Sequence, residues 1–168
     1  GNPNPKYEGG FTNTLSFKGL ELRGFFQFVQ GNDVYNGVRT YSEAYFFDNM
    51  EKRVLNRWKE PGDQTNVPRA EYANPDVQVE SSYKVEDGSF IRLKTLTLGY
   101  SLPDKWLDRV GIRSVRIFAT GQNLITWTDY SGPDPEVNYA GTSNTIIGTD
   151  FYTYPVARSW TFGVNLGL

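Results

Sequence analysis

The last ten residues, SWTFGVNLGL, alternate strictly between large apolar side chains and small or polar ones. One face of this segment carries Trp160, Phe162, Val164, Leu166 and Leu168. A period of two indicates a half-buried β-strand. Chain termini in water usually fray and gain little from such a pattern. The segment therefore predicts a strand whose apolar face is covered, either by lipid in a transmembrane β-barrel or by a second sheet in a soluble β-sandwich.

The composition excludes several functional classes. The 168 residues include no Cys and no His, so a disulfide, a Cys/His zinc site, a Cys nucleophile and a His-based acid–base pair cannot form. The net charge of −2 does not provide the basic surface that nucleic acid binding requires. The 11 Tyr, 11 Phe and 17 Gly residues favour an all-β protein with many turns. No apolar run is long enough for a transmembrane helix.

The same alternation recurs along the chain and defines an antiparallel all-β fold. The predicted strands cover residues 9–17, 20–31, 89–102, 114–128 and 157–168. Arg92 and Lys94 break the pattern before Thr95, which predicts either a β-bulge or a strand end at that point.

The connections between these strands alternate between short and long. Lys18-Gly19 and residues 103–112 form short connectors, whereas residues 32–87 and 129–155 form long loops. Apolar spacing of three and four residues predicts one short helix, Ser42–Trp58, in the first long loop, with Ser42 as its N-cap. A transmembrane barrel has short turns on one side and long loops on the other, whereas the loops of a soluble sandwich need no such bias.

Three long segments carry a resemblance to a known family. They read VEDGSFIRLKTLTLGY, GQNLITWTDYSGPDPEVN and YPVARSWTFG, in that order along the chain. Together with the N-terminal GNPNPKYEGGFTNTLSFKG, they resemble the C-terminal barrel segment of SusC/RagA-type TonB-dependent outer-membrane transporters. The resemblance covers residues 1–168 as one segment, less clearly between Val38 and Val79.

The resemblance implies a fold, a location and partners. Such transporters are multi-pass proteins of the bacterial outer membrane in Bacteroidetes-type organisms, with barrels of about 22 strands filled by a plug. They import oligosaccharides or peptides, a SusD-like surface lipoprotein acts as a lid, and TonB supplies energy through an N-terminal region. The sequence contains no plug and no TonB box. Because five strands cannot close a barrel, we expect the rest of the barrel, the plug and membrane lipid to be partners.

The resemblance also assigns roles to the two faces of the strands and to the loops. If the C-terminus is periplasmic, the loops at 32–87 and 129–155 are extracellular, and their tyrosines are candidates to contact the substrate or the lid. These are Tyr41, Tyr45, Tyr72, Tyr130, Tyr139 and Tyr152. The candidates to face the lumen are Arg23, Gln27, Arg116, Thr120 and Gln122. The candidates to face lipid and form the terminal assembly signal are Trp160, Phe162, Val164, Leu166 and Leu168.

No residue pattern predicts an enzyme, a cofactor or a metal. Asp134 and Glu136 lie two residues apart, but the Gly and the bidentate Glu of an EF-hand are missing from the required positions. On one extended loop they are also poorly placed to flank a glycosidic bond. The predicted function is therefore a part of a nutrient importer, and a soluble carbohydrate-binding β-sandwich is the alternative.

Overall fold

A computed structural model describes residues 1–45, 49–72, 79–108, 111–143 and 145–167. The chain divides into two compact units. The sheet unit comprises Pro5–Gly31, Ser89–Asp129 and Pro155–Leu168. The loop unit comprises Gly1–Asn4, Asn32–Gly88 and Tyr130–Tyr154.

The described elements are mostly strands. In chain order the strands are β1 (Tyr7–Phe17), β2 (Leu20–Gln30), β3 (Asp33–Asn36), β4 (Val85–Asp87), β5 (Phe90–Ser101), β6 (Ser114–Thr128), β7 (Thr149–Asp150) and β8 (Ser159–Gly167). The helices are α1 (Arg39–Ser42) and α2 (Asp104–Leu107), with 3₁₀ turns at Lys52–Asn56 and Ser82–Lys84. Among the described residues, no helix is long and apolar enough to span a membrane, a finding that concerns helices alone.

The sheet unit is one five-stranded antiparallel sheet in the order β1-β2-β5-β6-β8. Each strand pairs with the next strand of this sheet along the chain. The observed strand ends lie within two residues of the predicted ones, except that predicted end residue 168 lies outside the described residues. The expected all-β antiparallel fold is therefore confirmed.

The first hairpin turns at Lys18 and Gly19, whose φ angles are 47° and 84°. Two consecutive positive φ angles are the signature of a type I′ turn, which matches the right-handed twist of the flanking strands. Gly19 is needed for a second reason, because a Cβ there would lie 2.7 Å from the Ser101 carbonyl oxygen. This turn fixes the register of β1 against β2, in which Phe17 pairs with Leu20.

The register separates the sheet into an apolar face and a polar face, because residues paired across strands share one face. One row across the apolar face consists of Leu15, Leu22, Leu98, Ala119 and Phe162. The register of β5 shifts between Leu93 and Thr95 against both neighbouring strands. The predicted bulge is thereby confirmed, and it moves Arg92 off the apolar face.

The loop unit contains a small three-stranded sheet in the order β4-β3-β7. Its β3 pairs antiparallel with β4 and parallel with β7. A buried apolar cluster of Val34, Tyr130 and Val137 packs within this unit. Backbone pairing and this cluster thus join segments that are far apart in the sequence.

The predicted helix Ser42–Trp58 is wrong. Ser42 is the last residue of α1, and its hydroxyl donates to the Glu51 carboxylate at 2.7 Å instead of capping a helix. Tyr45 has a φ of 52°, which a right-handed helix excludes. Only Lys52–Asn56 forms a further 3₁₀ turn, and residues 46–48 lie outside the described residues. Tertiary contacts of Glu43 and Ser42 override the local helical spacing.

Candidate ligand-contact site

The loop unit contains a cavity of about 520 Å³, a size typical of ligand pockets. We call it the aromatic cavity. Its lining side chains come from β3, α1, the segment before β4 and the second long loop. They are Tyr35, Thr40, Tyr41, Glu80, Tyr139, Ile146, Thr149 and Phe151, with the backbone of Gly37. Four aromatic rings and a few polar groups are therefore gathered from distant parts of the chain.

Phe151 is the centre of the aromatic contacts. Its ring centroid lies 5.9 Å from that of Tyr41 and 5.6 Å from that of Tyr139, and both pairs are edge-to-face at 71°. The Tyr152 ring lies 5.7 Å from Phe151 at 85°. Such geometry matches the ring quadrupoles, so each ring is held by its neighbours rather than by solvent.

The backbone around Phe151 is held by specific polar contacts. The Asp150 carboxylate accepts the Tyr130 hydroxyl at 2.8 Å and the backbone N–H of Thr153 at 3.1 Å. Tyr152 adopts a φ of 57°, an uncommon conformation for a non-glycine residue. A residue in this conformation persists only where the surrounding structure holds it there.

Glu80 is the one charged residue among the described lining residues of the aromatic cavity. Burial and the nearby Glu80 carboxylate raise the pKa of Tyr35 above its ordinary value. Lys84 is not itself a lining residue, but its ammonium group donates a hydrogen bond to the hydroxyl of the lining residue Thr40 at 2.8 Å. Burial lowers the pKa of Lys84, and Glu80 opposes that shift. The cavity offers aromatic faces, hydroxyls and one carboxylate, which suits binding of a ring or chain rather than bond cleavage.

A buried polar network supports the same unit from within. Arg39 donates from Nε to the Glu43 carboxylate at 2.7 Å and from Nη1 to the Glu86 carboxylate at 3.2 Å. Tyr83 also donates its hydroxyl to Glu43. Burial and the hydrogen bond to Glu43 raise the pKa of Tyr83 to about 12, which keeps the hydroxyl a donor. Glu86 in turn accepts from Ser131 of the second long loop at 2.9 Å. This network ties the two loops together.

The structure distributes the six predicted loop tyrosines among different environments. Tyr41 and Tyr139 line the aromatic cavity, and the Tyr152 ring lies 6.5 Å from that of Tyr41. Tyr45 and Tyr72 are not part of the cavity lining, and Tyr72 is exposed.

Tyr130 does not fit its predicted role as a residue that contacts the substrate or the lid. Its side chain is only 5% exposed, and its hydroxyl is engaged by Asp150. Burial and that hydrogen bond raise the pKa of Tyr130. The residue packs inside the loop unit and presents no ring to a ligand, because Val34 and Val137 cover it.

Sequence reasoning missed several residues of this site. Phe151, Tyr35 and Glu80 line the cavity but belong to no periodic pattern. A signal existed for Arg39 and Glu43, because oppositely charged residues four apart can pair on one helical turn. The predicted helix began three residues too late to use that signal.

All five predicted lumen candidates lie on the polar face of the sheet, where cross-strand register brings some of them together. Arg23 is paired with Thr97, and Thr97 is paired with Thr120, whose hydroxyl lies 2.9 Å away. Gln122 accepts a hydrogen bond from the Ser159 hydroxyl at 3.1 Å. Gln27 is farther along β2, beside Gly10 and Arg92.

Arg116 reaches across a whole strand on this polar face. Its guanidinium donates to the Glu21 carboxylate of β2 at 2.5 Å, although β5 lies between β2 and β6. Gly99 is the intervening residue, and a Cβ there would lie 2.8 Å from Arg116 Nη2. The missing side chain at Gly99 therefore opens the path for this ion pair.

The described members of the terminal apolar stripe all lie on the apolar face. Trp160, Phe162, Val164 and Leu166 are paired with Gly121, Ala119, Ile117 and Val115 of β6. Phe162 is 76% exposed, and large apolar residues of the other strands are exposed on the same face. Leu168 lies outside the described residues. A soluble sandwich would cover such a face with a second sheet, which disfavours the alternative prediction.

The described residues contain no group of three or more acidic side chains arranged to hold a metal ion. Asp134 is buried, and its carboxylate accepts the backbone N–H of Glu136 at 2.9 Å. The pair singled out in the sequence thus forms a local turn, as Asp commonly does.

Known proteins resemble this chain over nearly its whole length. It is 39% identical to TonB-dependent receptor P3 of Formosa agariphila and 36% identical to TonB-dependent receptor P26 of the same organism, in both cases over 99% of the chain. It is 34% identical to TonB-dependent receptor SusC of Bacteroides thetaiotaomicron over 51% of the chain. The chain spans 17% of the length of the P3 and P26 receptors. No protein-family model matches it.

Solved structures give the same result. The RagAB peptide importer in its open-open state matches 98% of the chain at a TM-score of 0.79 and 30% sequence identity. In its closed-closed state the match covers 97% at a TM-score of 0.78. In both cases the chain corresponds to 17% of the solved chain.

The antiparallel sheet and these relatives define the class: the chain is a segment of a TonB-dependent receptor, a class of outer-membrane proteins. Within that class it belongs to the SusC/RagA type, as a segment of the C-terminal barrel. The named relatives are receptors and importers rather than enzymes.

Proposed function

We propose that this chain is a functional part of a multi-pass outer-membrane transporter that imports oligosaccharides or peptides together with a SusD-like lipoprotein lid. In this proposal the sheet unit is part of the wall of a plugged barrel of about 22 strands. TonB drives import through another region of the transporter. The exposed apolar face of the five-stranded sheet carries the proposal, because an apolar face this large needs lipid or a partner to cover it.

The two faces of the sheet then have different environments. The stripe from Trp160 to Leu166 faces lipid and, with Leu168, forms the terminal assembly signal. The face with Arg23, Gln27, Arg116, Thr120 and Gln122 lines the lumen. Alternation of apolar-out and polar-in residues along every strand is the pattern of outer-membrane barrels, and it supports this orientation.

The loop unit is proposed to lie outside the cell and to contact the substrate or the lid. Its support is the aromatic cavity, in which Tyr41, Tyr139 and Phe151 present rings beside polar groups. Aromatic groups with polar tips suit wet contact surfaces. Tyr152 lies beside the cavity, and Tyr45 and Tyr72 remain candidates for contacts elsewhere in the loops.

The first test is the intact mass of the native, detergent-extracted complex together with a denaturing gel. We expect a parent chain several times the 19.1 kDa of this segment and a co-purifying lipoprotein. A water-soluble protein of 19.1 kDa that folds without detergent would contradict the proposal and support the sandwich.

The second test addresses the loop unit in the full-length transporter. Tyr41→Ala should weaken uptake or lid association, whereas Tyr154→Ala, outside the cavity lining and 92% exposed, should not. Equal behaviour of the two variants would argue against a contact role for the aromatic cavity.

A further inference from the structure

The two arginines singled out on the polar face differ in their partners. Arg116 is paired with Glu21 at 2.5 Å. The Arg23 side chain makes no hydrogen bond, ion pair or ring contact within the part of the chain that the structure describes. Arg23 is nevertheless held between two neighbouring strands, paired in register with Thr14 of β1 and Thr97 of β5. One cation is thus neutralised by its own sheet and the other is not.

No carboxylate on the described polar face is available to Arg23. Glu21 is two residues away on β2, but its carboxylate is engaged by Arg116. Glu8 lies six positions along β1 from the residue paired with Arg23, which corresponds to roughly 20 Å at the rise of a strand. The charge of Arg23 therefore remains open to a ligand.

Arg23 lies in a small surface pocket of about 270 Å³. Thr12, Thr95 and Thr97 supply hydroxyls from both neighbouring strands, and Phe25 supplies an apolar ring. Threonine hydroxyls can donate to an oxygen that the guanidinium already holds. The pocket thus combines one positive charge, several donors and one apolar surface.

We propose that Arg23 and the threonines beside it form a carboxylate-binding site on the polar face of the sheet. The planar guanidinium matches a carboxylate in a two-pronged geometry. One cation balances one carboxylate, whereas a phosphate monoester carries about −1.5 to −2 charges at neutral pH and needs more than one. The inference rests on the proposed function, in which this face lines the lumen of the transporter.

Two sources can supply the carboxylate. It can belong to a substrate in transit, such as the C-terminus of a peptide or a uronic acid unit. It can also belong to an acidic side chain elsewhere in the same transporter. The chemistry is the same in both cases, so the experiment must separate the sources.

The experiment uses the full-length transporter in detergent and two pairs of probes: trialanine with its amide, and trigalacturonate with its methyl ester. For a substrate source, the wild type should bind the carboxylate member of at least one pair about tenfold more tightly than the amide or ester member, in which the carboxylate charge is removed. Arg23→Gln should bring that ratio close to one. Lys105→Gln, which removes an exposed cation from α2, should leave the ratio unchanged.

For an internal source, the ratio should be the same in all proteins, and Arg23→Gln should lower the melting temperature at pH 7. That loss should shrink at pH 4, where carboxylates begin to protonate. Arg23→Lys keeps the charge, so it should retain part of the binding ratio for a substrate source or part of the melting temperature for an internal source. This variant also serves as the control for a folding defect. The inference is overturned if Arg23→Gln changes neither the ratio nor the melting temperature. A wild type that extracts without detergent would instead overturn the proposed function itself.

Discussion

In the sheet unit the large apolar side chains lie at the surface, whereas in the loop unit charged side chains lie inside. Phe162 and Leu166 are exposed on the apolar face of the sheet, and Arg39 and Glu43 are 2% and 1% exposed within the loop unit. A single-layer sheet has no interior, so its apolar residues need an apolar environment from elsewhere. Irregular loops lack the continuous backbone hydrogen bonding of a sheet. Polar side chains therefore form many of the hydrogen bonds that buried backbone groups and other buried side chains require.

This difference in side-chain burial indicates which interactions stabilise each unit. The sheet depends on backbone pairing and, in the proposed barrel, on lipid, which tolerates no buried unpaired backbone group or charge. The loop unit depends on a connected set of ion pairs and hydrogen bonds, in which the loss of one member leaves another buried without its partner. Substitutions should therefore act by different rules in the two units.

The largest effect should follow from Glu43→Gln. This change leaves the buried Arg39 without one of its carboxylate partners and weakens the contact with Tyr83, so the loop unit should lose about 3–5 kcal/mol. Hydrogen exchange of residues 32–45 in the full-length transporter measures it. The control is Glu71→Gln, which breaks an exposed pair with Arg69 and should have almost no effect. Similar losses in both variants would refute the distinction between buried and exposed pairs.

A charge on the apolar face should have the next largest effect. Phe162→Arg should cost about 2–4 kcal/mol if residue 162 is near the bilayer midplane, because a cation there faces hydrocarbon. Thr161→Arg, its neighbour on the polar face, should be tolerated. The amount of heat-modifiable barrel in the outer membrane measures both. The assignment of the faces fails if Thr161→Arg is the more damaging change.

Tyr130→Phe should have an intermediate effect on the loop unit. It removes the hydroxyl that donates to the fully buried Asp150 carboxylate, at a cost of about 1–3 kcal/mol. Chemical denaturation monitored by exchange near β7 measures the loss. Tyr154→Phe removes a hydroxyl from an exposed residue and is the matched control. A null result for Tyr130→Phe would show that another group satisfies Asp150.

The smallest effect should be a pH dependence confined to the loop unit. Burial alone would raise the pKa of Glu86, but hydrogen bonds from Ser131 and Asn36 and the charge of Arg39 outweigh it and lower the pKa below its ordinary value of 4.5. Because the pKa is lower in the folded state, the ionised carboxylate stabilises the folded loop unit above pH 4.5. That contribution is lost as the pH falls through the folded-state pKa.

We therefore expect the loop unit to loosen below about pH 4.5 while the sheet ladders persist. Hydrogen exchange, corrected for its intrinsic pH dependence, measures this in both units. Glu86→Gln should remove this part of the pH dependence. An unchanged profile in that variant would assign the effect to other carboxylates.

Much of the sheet could be predicted from the sequence, because a period of two is a local signal that survives in the fold. The bulge at Lys94 was also predictable, since Arg92 breaks the alternation. The loop unit was less predictable. Tyr130 looks like the other loop tyrosines in the sequence, but it is buried by Val34, which is far away in the sequence, and by Val137, which is in the same loop. The helix Ser42–Trp58 failed for the same reason, because Ser42 and Glu43 bond to residues that local spacing does not reveal.

The sequence by itself determined the strands, the two faces of the sheet, the short and long connectors and the resemblance to SusC/RagA-type transporters. These features are local or collinear, so they can be read without knowing which residues meet. Only the tertiary structure decided that Phe151, Tyr41 and Tyr139 share one cavity and that Gly99 opens a path from Arg116 to Glu21. It also decided that the Arg23 side chain has no acidic partner among the residues that the structure describes. Each depends on the register of strands or on loop contacts between residues far apart in the chain, which periodicity does not specify.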